Sequence, residues 1–512
     1  MKKRNINKKK ANALYKVIAL MMPVIFLSLI LAASFPALDM NGMQASAEDN
    51  VVVLRICNWE EYIDEGEWDE EELIDLESGD IFSESSMVED FEEWYYEETG
   101  IRVSVEYSCF GSNEELYNML TLGTEFDLVC PSDYMIMKLM AEDELLPYSD
   151  DFFDTDNEEN YYAKGVSPYI KQVFDENEIG GEPWSKYAAG YMWGVTGILY
   201  NPEYVSEEDA STWAIINNEK YNRQITIKDN VRDSLFAAIG AINSDILLSD
   251  SFKSADDYQA KLATIMNDVS EGTIAKAQDY LQDTQNNVYS FESDSGKADM
   301  VTGKVVANYQ WSGDGVYAMD QAEEEGLYLA YAVPEECTNL WFDGWVMLKD
   351  GIGEDEQKQA AAEAFVNFLS MPENVVRNMY YIGYTSVIAG GDDDTVFEYL
   401  DWCYGAEEDE EDVIDYPVGY FFSGDEDDED YVITACSEQS NRQLFAQYPT
   451  SDVIERSAIM EYFDPEANAR INQMWINVRC YNIKDMGVAA WAVFVLCLAG
   501  VLTLLIKARK LN

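Results

Sequence analysis

The sequence predicts an α/β fold divided into more than one lobe, with a single transmembrane helix at the C-terminus. Three observations carry that prediction. The chain has 512 residues, more than one hydrophobic core normally serves. Its N-terminal half alternates short apolar runs with capped amphipathic segments, the order that gives parallel strands joined by helical crossovers. An uncharged run from Met486 to Ile506 ends at Lys507-Ala508-Arg509-Lys510, long enough to span a bilayer core of about 30 Å.

Residues 1–47 read as a secretory signal. The basic residues Lys2, Lys3, Arg4, Lys8, Lys9, Lys10 and Lys16 precede an apolar stretch from Val17 to Ala33, and Ala45-Ser46-Ala47 supplies a small-x-small cleavage site. No cysteine follows that stretch closely, which excludes lipoprotein processing. Val51–Cys57 then reads as a buried strand. A helix over Met87–Glu98 opens with a capping box, Ser86 with Glu89, and stops at Gly100. Ile101–Tyr107 is the next strand, Ser112 with Glu115 caps a second helix, and Phe126–Cys130 is a third strand. Lys304–Asn308 is strand-like, and residues 355–369 form an amphipathic helix with Ala361, Ala364, Phe365, Phe368 and Leu369 on one face. Two acidic insertions, 64–86 and 407–430, read as solvated surface loops. The segment 486–506 is the membrane span, and its basic flank places the tail, 507–512, in the cytoplasm.

Composition narrows the function. There are 33 basic against 98 acidic residues, a net charge of −65, and the basic residues cluster at the two ends, so residues 48–485 are more acidic in proportion. Such a surface repels nucleic acid and anionic lipid and favours cationic ligands. Hydrophobic residues make up 47%, with 12 Trp and 34 Tyr, ample for a core. The chain contains no His, which removes Ser-His and His-metal catalysis. Cys57, Cys109, Cys130, Cys337, Cys403, Cys436 and Cys480 lie outside the membrane segment and form no C-x-x-C pair. Neither a cofactor nor a metal site is expected, and no enzymatic activity.

In open α/β sheets ligands bind beyond the carboxyl ends of the strands. Trp59, Glu60 and Tyr62 follow the first strand, and Ser132 and Tyr134 follow the third. Trp311 follows the strand-like segment at 304–308, and Trp341 and Asp343 precede another apolar run. Aromatic rings interleaved with carboxylates suit a flexible diamine, since rings cover methylenes and face ammonium groups while carboxylates accept charge-assisted hydrogen bonds.

At these residues the sequence resembles the periplasmic spermidine/putrescine-binding proteins of polyamine ABC importers. The shared landmarks are Asn58-Trp59 with Tyr62, Glu98-Thr99-Gly100-Ile101, Ser112-Asn113-Glu114, and Phe126-Asp127-Leu128-Val129 followed by Pro131-Ser132. Further on they are Trp193-Gly194, Thr196-Gly197, Thr212-Trp213, Asp229 with Arg232-Asp233, Trp311-Ser312-Gly313, Trp341 with Asp343, and Ile382-Gly383-Tyr384-Thr385. The resemblance implies a two-lobed periplasmic-binding-protein-like (type II) fold, with hinge strands and a ligand cleft. Its divisions would be lobe 1 at 48–194, lobe 2 at 195–340, a return to lobe 1 at 341–390, and a C-terminal part of lobe 2 at 391–480. Trp59, Tyr62, Trp311, Trp341 and Tyr384 would form an aromatic box, with Asp343 at one ammonium and Asp229 and Asp233 at the other end. Ser132 and Tyr134 would add polar contacts. Glu60 and Asn230 depart from the family pattern, the first adding a carboxylate and the second replacing an acid.

The resemblance further implies a polyamine ligand, spermidine or putrescine, and ABC permease subunits with a cytoplasmic ATPase as partners. The domain would face outward, held to the membrane of a Gram-positive-type bacterium by its C-terminal helix. A membrane-tethered polyamine sensor is the second reading, and an acidic surface protein without a ligand cleft the third.

Overall fold

Leu54, Ile56 and Cys57 are shielded from solvent in β1 (Val51–Trp59), the first element of a computed structural model that describes residues 51–69, 72–407 and 410–480. The expected signal at 1–47, the span at 486–506 and the tail at 507–512 lie outside the described residues. Among the described residues no helix is long and apolar enough to cross a membrane. The chain divides into two compact units. Unit 1 runs to Gly194 and includes Ser312–Tyr328 and Trp341–Ser451, and unit 2 comprises Val195–Trp311, Leu329–Leu340 and the chain from Asp452.

Unit 1 begins with strands and helices in alternation. β1 pairs in parallel with β2 (Arg102–Phe110), from Val51 opposite Arg102 to Trp59 opposite Phe110. It also pairs in parallel with β3 (Leu128–Val129), through Ile56 and Cys57. Between β1 and β2, α1 (Met87–Thr99) has its full capping box, Ser86 with Glu89, and ends at Gly100 in the left-handed conformation. The cap of α2 (Asn113–Thr121) is half of what the sequence suggests. Ser112 accepts from the Glu115 N–H, but the Glu115 carboxylate takes the N–H of Gly111 instead. After β3, α3 (Asp133–Ala141) starts at Ser132.

β4 (Ala188–Tyr200) is buried along its whole length and carries the chain from unit 1 into unit 2. In unit 2, β5 (Ile225–Lys228) lies parallel to β6 (Ser290–Glu292) and to β7 (Ala307–Trp311). β7 runs antiparallel to the later part of β4, with Trp311 opposite Thr196. The strand expected at 304–308 is thus displaced toward the C-terminus. Lys304 is held back by Asp299 at 2.9 Å, and pairing with β4 extends through Trp311. α4 (Val231–Ile242) follows β5, its N-terminus capped by Asn230, which accepts from the N–H groups of Arg232 and Asp233.

The chain re-enters unit 1 at α5 (Ser312–Glu324). β8 (Thr338–Leu348) is again buried throughout, and in unit 1 its Val346 pairs antiparallel with Val129 of β3. α6 (Glu356–Leu369) buries Ala361, Phe365, Phe368 and Leu369, while Ala364 is only half-buried. Phe365 meets Phe91 of α1 at 5.0 Å. α7 (Pro372–Ile382) follows, and the last described helix, α8 (Pro465–Arg479), belongs to unit 2.

Two stretches fall in a different unit from the one the sequence suggests. Residues 391–451, expected with the second lobe, stand in unit 1. Aromatic packing holds them there: Phe421 stacks on Trp193 at 5.6 Å and 12°, and Ser167 donates to the Phe421 carbonyl at 2.5 Å. Residues 312–328 also stand in unit 1. Gly313 lies so close to Tyr384 that an added Cβ would fall 2.3 Å from its ring.

The insertion at 64–86 is anchored in the structure and is more than a solvated loop. Trp68, Ile74, Leu76 and Ile81 are buried, and so is Asp64. Its carboxylate accepts from Arg377 Nε at 3.0 Å, the Gly66 N–H at 2.8 Å and Trp68 Nε1 at 3.0 Å. Arg377 also reaches Asp90 at 2.8 Å and Ser83 at 2.6 Å. Arg377→Met leaves the Asp64 carboxylate buried without its cation, a change that costs about 3–5 kcal/mol. Urea denaturation is expected to show a lower midpoint with little change in slope. A variant as stable as the parent would mean that the pair does not anchor the insertion.

Candidate functional site

Asp343 is the centre of the unit 1 candidates. It lies in the buried middle of β8, 5% exposed. An isolated antiparallel bridge joins it to Ser132, and the Gly344 N–H donates to the Pro131 carbonyl at 3.1 Å. The N-terminal end of α3 is thereby fixed against the strand. Tyr62 OH donates to Asp343 Oδ2 at 2.9 Å, while Oδ1 is buried with no hydrogen-bond partner. Burial pushes the Asp343 carboxyl up to about 7, against the opposing hydrogen bonds of Ser132 and Tyr62.

Three rings stand around this carboxylate. Tyr62 and Tyr384 meet edge to face at 5.1 Å and 84°, and Tyr384 and Trp341 at 5.8 Å and 64°. Their edges are polar as well. The Tyr384 hydroxyl bonds the carboxylate of Asp314, and burial raises its pKa. Trp341 Nε1 is buried without a partner. A buried carboxylate oxygen without a donor can accept an N–H from an alkylammonium group, and neighbouring aromatic rings can cover the carbons beside it.

The other unit 1 candidates are placed less centrally. Trp59 closes β1 with its ring 4.6 Å from Phe110. Glu60 is exposed. Ser132 and Tyr134 are tied together by Asn113, whose side-chain amide donates to the Ser132 hydroxyl at 3.1 Å and to Tyr134 OH at 3.0 Å. Tyr134 OH also lies 3.3 Å from Glu114. Asp314 and Tyr191 are not among the sequence-derived candidates, and Asn113 enters there only within the Ser112-Asn113-Glu114 landmark. Tyr191 meets Tyr62 edge-on at 5.5 Å and donates to its carbonyl at 2.8 Å. Asp314 directly follows the Trp311-Ser312-Gly313 motif, and that adjacency was the available signal.

Asp229, Asp233 and Trp311 belong to unit 2. Asp229 pairs with Arg479 of α8 at 2.7 Å. Asp233 is buried in the first turn of α4. Trp311 is half-buried, with the Lys228 ammonium over its ring. A cavity of about 450 Å³ elsewhere in unit 2, lined by Glu207, Glu208, Ser211, Thr212, Leu248 and Glu335, contains none of the candidates. Among the described residues no group of His, Cys, Asp and Glu side chains comes together to hold a metal ion.

The family model for bacterial extracellular solute-binding proteins matches residues 86–398. The chain belongs to that family. This solute-binding protein is 27% identical over 305 residues to the putrescine-binding periplasmic protein PotF of Escherichia coli, covering 57% of this chain and 72% of that one. It is 23% identical over 299 residues to a putrescine/agmatine-binding protein of Pseudomonas aeruginosa, with the same two coverages. Among solved structures it is similar to the spermidine/putrescine ABC transporter substrate-binding protein PotD from Streptococcus pneumoniae, with a TM-score of 0.52 and 22% identity over 84% of this chain and 98% of that one. That likeness establishes a mixed α/β, periplasmic-binding-protein-like fold. Members of the family bind extracytoplasmic solutes and do not transform them.

A pH dependence follows from Asp343. Its folded pKa lies above the ordinary carboxylate value, so its ionisation opposes folding increasingly as pH rises from about 4 to 7. A bound ammonium selects the ionised form. Affinity for an alkylamine is therefore expected to rise about tenfold per pH unit between roughly pH 5 and 7 and to level off above. Asp343→Asn is expected to flatten the profile. Calorimetric titrations across that range check this, and a flat parental profile would mean that the carboxyl is already ionised.

Proposed function

We propose that this chain is the solute-binding subunit of an ABC importer and that its ligand is an aliphatic amine of the polyamine class, with putrescine and spermidine as reference compounds. The observation that carries the reading is Asp343 Oδ1, a buried carboxylate oxygen without a partner among Tyr62, Tyr384 and Trp341. An anion is repelled by such a group and a sugar hydroxyl can donate to it but leaves its charge uncompensated, whereas an ammonium supplies both the charge and the N–H it lacks. Relatives whose names record putrescine or spermidine support the same choice.

Under this reading the loaded protein delivers its amine to permease subunits driven by a cytoplasmic ATPase. The segment 486–506 tethers it beside them, which raises its effective concentration there. The remaining candidates fall into ranks. Tyr62, Ser132, Trp341 and Tyr384 orient the amine at Asp343. Trp59 extends the aromatic surface, Tyr134 acts through Asn113, and the exposed Glu60 contributes long-range attraction.

Two substitutions separate the contact from the background charge. Asp343→Asn is expected to weaken putrescine binding by about 3–5 kcal/mol, the cost of removing one partner of a buried ion pair. Glu60→Gln is expected to change it little, because a solvated carboxylate is screened. Isothermal titration calorimetry on both variants makes the comparison. Equal losses at the two positions, or no loss at Asp343, would refute the assignment.

A further inference from the structure

The chain leaves β1 through a turn that needs outside support. Glu61 has a φ of 54°, in the left-handed region that a glutamate seldom occupies, and such a residue persists only where its surroundings over-determine it. The next residue is Tyr62, whose hydroxyl reaches Asp343 Oδ2 at 2.9 Å. The Tyr62 carbonyl accepts twice, from Asn58 Nδ2 at 3.3 Å and from the Tyr191 hydroxyl at 2.8 Å. Asn58 opens the turn and moves with it. Tyr191 does not. It is buried in β4, with its ring 5.2 Å from Trp345 of β8 and its own carbonyl held by the Val387 N–H at 3.1 Å.

We infer that Tyr191 is a positioning residue for ligand binding: by holding the Tyr62 carbonyl it keeps the Tyr62 hydroxyl on Asp343 Oδ2 and leaves Oδ1 as the oxygen that meets the ligand. All the residues concerned lie in unit 1. Ring contacts with Tyr191 at 5.5 Å and Tyr384 at 5.1 Å also place Tyr62. Such contacts tolerate separations of about 4.5–7 Å, whereas the hydrogen bond from Tyr191 fixes the distance of the turn from β4 far more narrowly. A hydrogen bond to an ionised carboxylate favours that form. Loosening the turn therefore makes Asp343 harder to ionise and an ammonium harder to hold. The groups facing Asp343 are Tyr62, Cys130, Tyr191 and Tyr384, all kept neutral by burial. Asp314 stands behind them on the Tyr384 hydroxyl, and Asp133 accepts the N–H groups of Tyr134 and Phe342. This inference rests on the amine-binding reading of Asp343.

The test is calorimetric titration with putrescine from pH 5 to 8.5, at constant salt, of the parent, Tyr191→Phe, Tyr62→Phe and the double variant. Phenylalanine at 191 keeps the ring contacts with Tyr62 and Trp345 and removes only the hydroxyl. Tyr191→Phe is expected to displace the rising limb of the affinity profile by about half a unit toward higher pH. At tenfold per unit that is about threefold weaker binding near pH 6, converging to within about twofold of the parent at pH 8.5. The double variant is expected to bind as Tyr62→Phe does, because Tyr191 acts through that hydroxyl. A Tyr191→Phe profile that superimposes on the parental one, or losses that add in the double variant, overturns the inference even where the variant is less stable to heat. If Tyr191→Phe does not fold, Asn58→Ala removes the other donor to the same carbonyl. The same displacement then supports the clamp, and an unchanged profile overturns it. Failure of the parent to bind putrescine overturns the amine reading and this inference with it.

Discussion

Among the described residues, Asp343 carries the one buried carboxylate oxygen that has no hydrogen-bond partner, and the candidate site is built on that oxygen. Asp127 is fully buried and meets both Arg55 at 2.9 Å and Lys358 at 3.0 Å. Asp64 meets Arg377, and Asp133 accepts the N–H groups of Tyr134 and Phe342. Asp343 has neutral hydroxyls as its stabilisers and keeps one oxygen without a donor. Taking a carboxylate from water without a cation is costly, and the raised pKa is the form that cost takes here. Much of unit 1 bears on this one group. The bridge to Ser132, the packing of Gly313 against Tyr384 and the edge-to-face rings hold a polar defect in a fixed shape, as preorganised binding requires.

The total charge of −65 has a different role. Most of the acids are solvated, and they supply a field that concentrates cations near the surface without choosing among them. Choice requires a desolvated contact at fixed distance, and Asp343 has that geometry where Glu60 does not. Binding driven by the field weakens as salt is added, while binding at a buried carboxylate largely persists. The two contributions can therefore be separated by experiment.

Local order was well written in the sequence. Ser86, Glu89 and Gly100 set the ends of α1, and the alternation of strand and helix through Val129 gave parallel pairing. Tyr62, Ser132, Trp341 and Asp343 stand in motifs at strand ends and Tyr384 comes from the family resemblance; the structure links Tyr62 and Ser132 directly to the Asp343 carboxyl, with Tyr384 and Trp341 adjoining through their rings. What could not be read depends on partners distant in the chain. The insertion at 64–86 looked solvated because its acidity was visible and its anchor, Arg377, lies some three hundred residues away. The resemblance puts residues 391–451 with the second lobe, but they stand in unit 1, where Phe421 stacks on Trp193. Lys228 carried no signal at all. A lysine ending a strand ordinarily reaches solvent, whereas this one is buried beside Glu292 of another strand.

The most direct test of the central claim is calorimetric titration of the outward-facing domain, residues 48–485, with putrescine and spermidine at low and at physiological salt. The account predicts saturable one-to-one binding that survives the added salt, as expected of a cation held at a buried carboxylate. Weak multi-site binding that salt abolishes would contradict it, and would mean that the acidic surface alone attracts these amines.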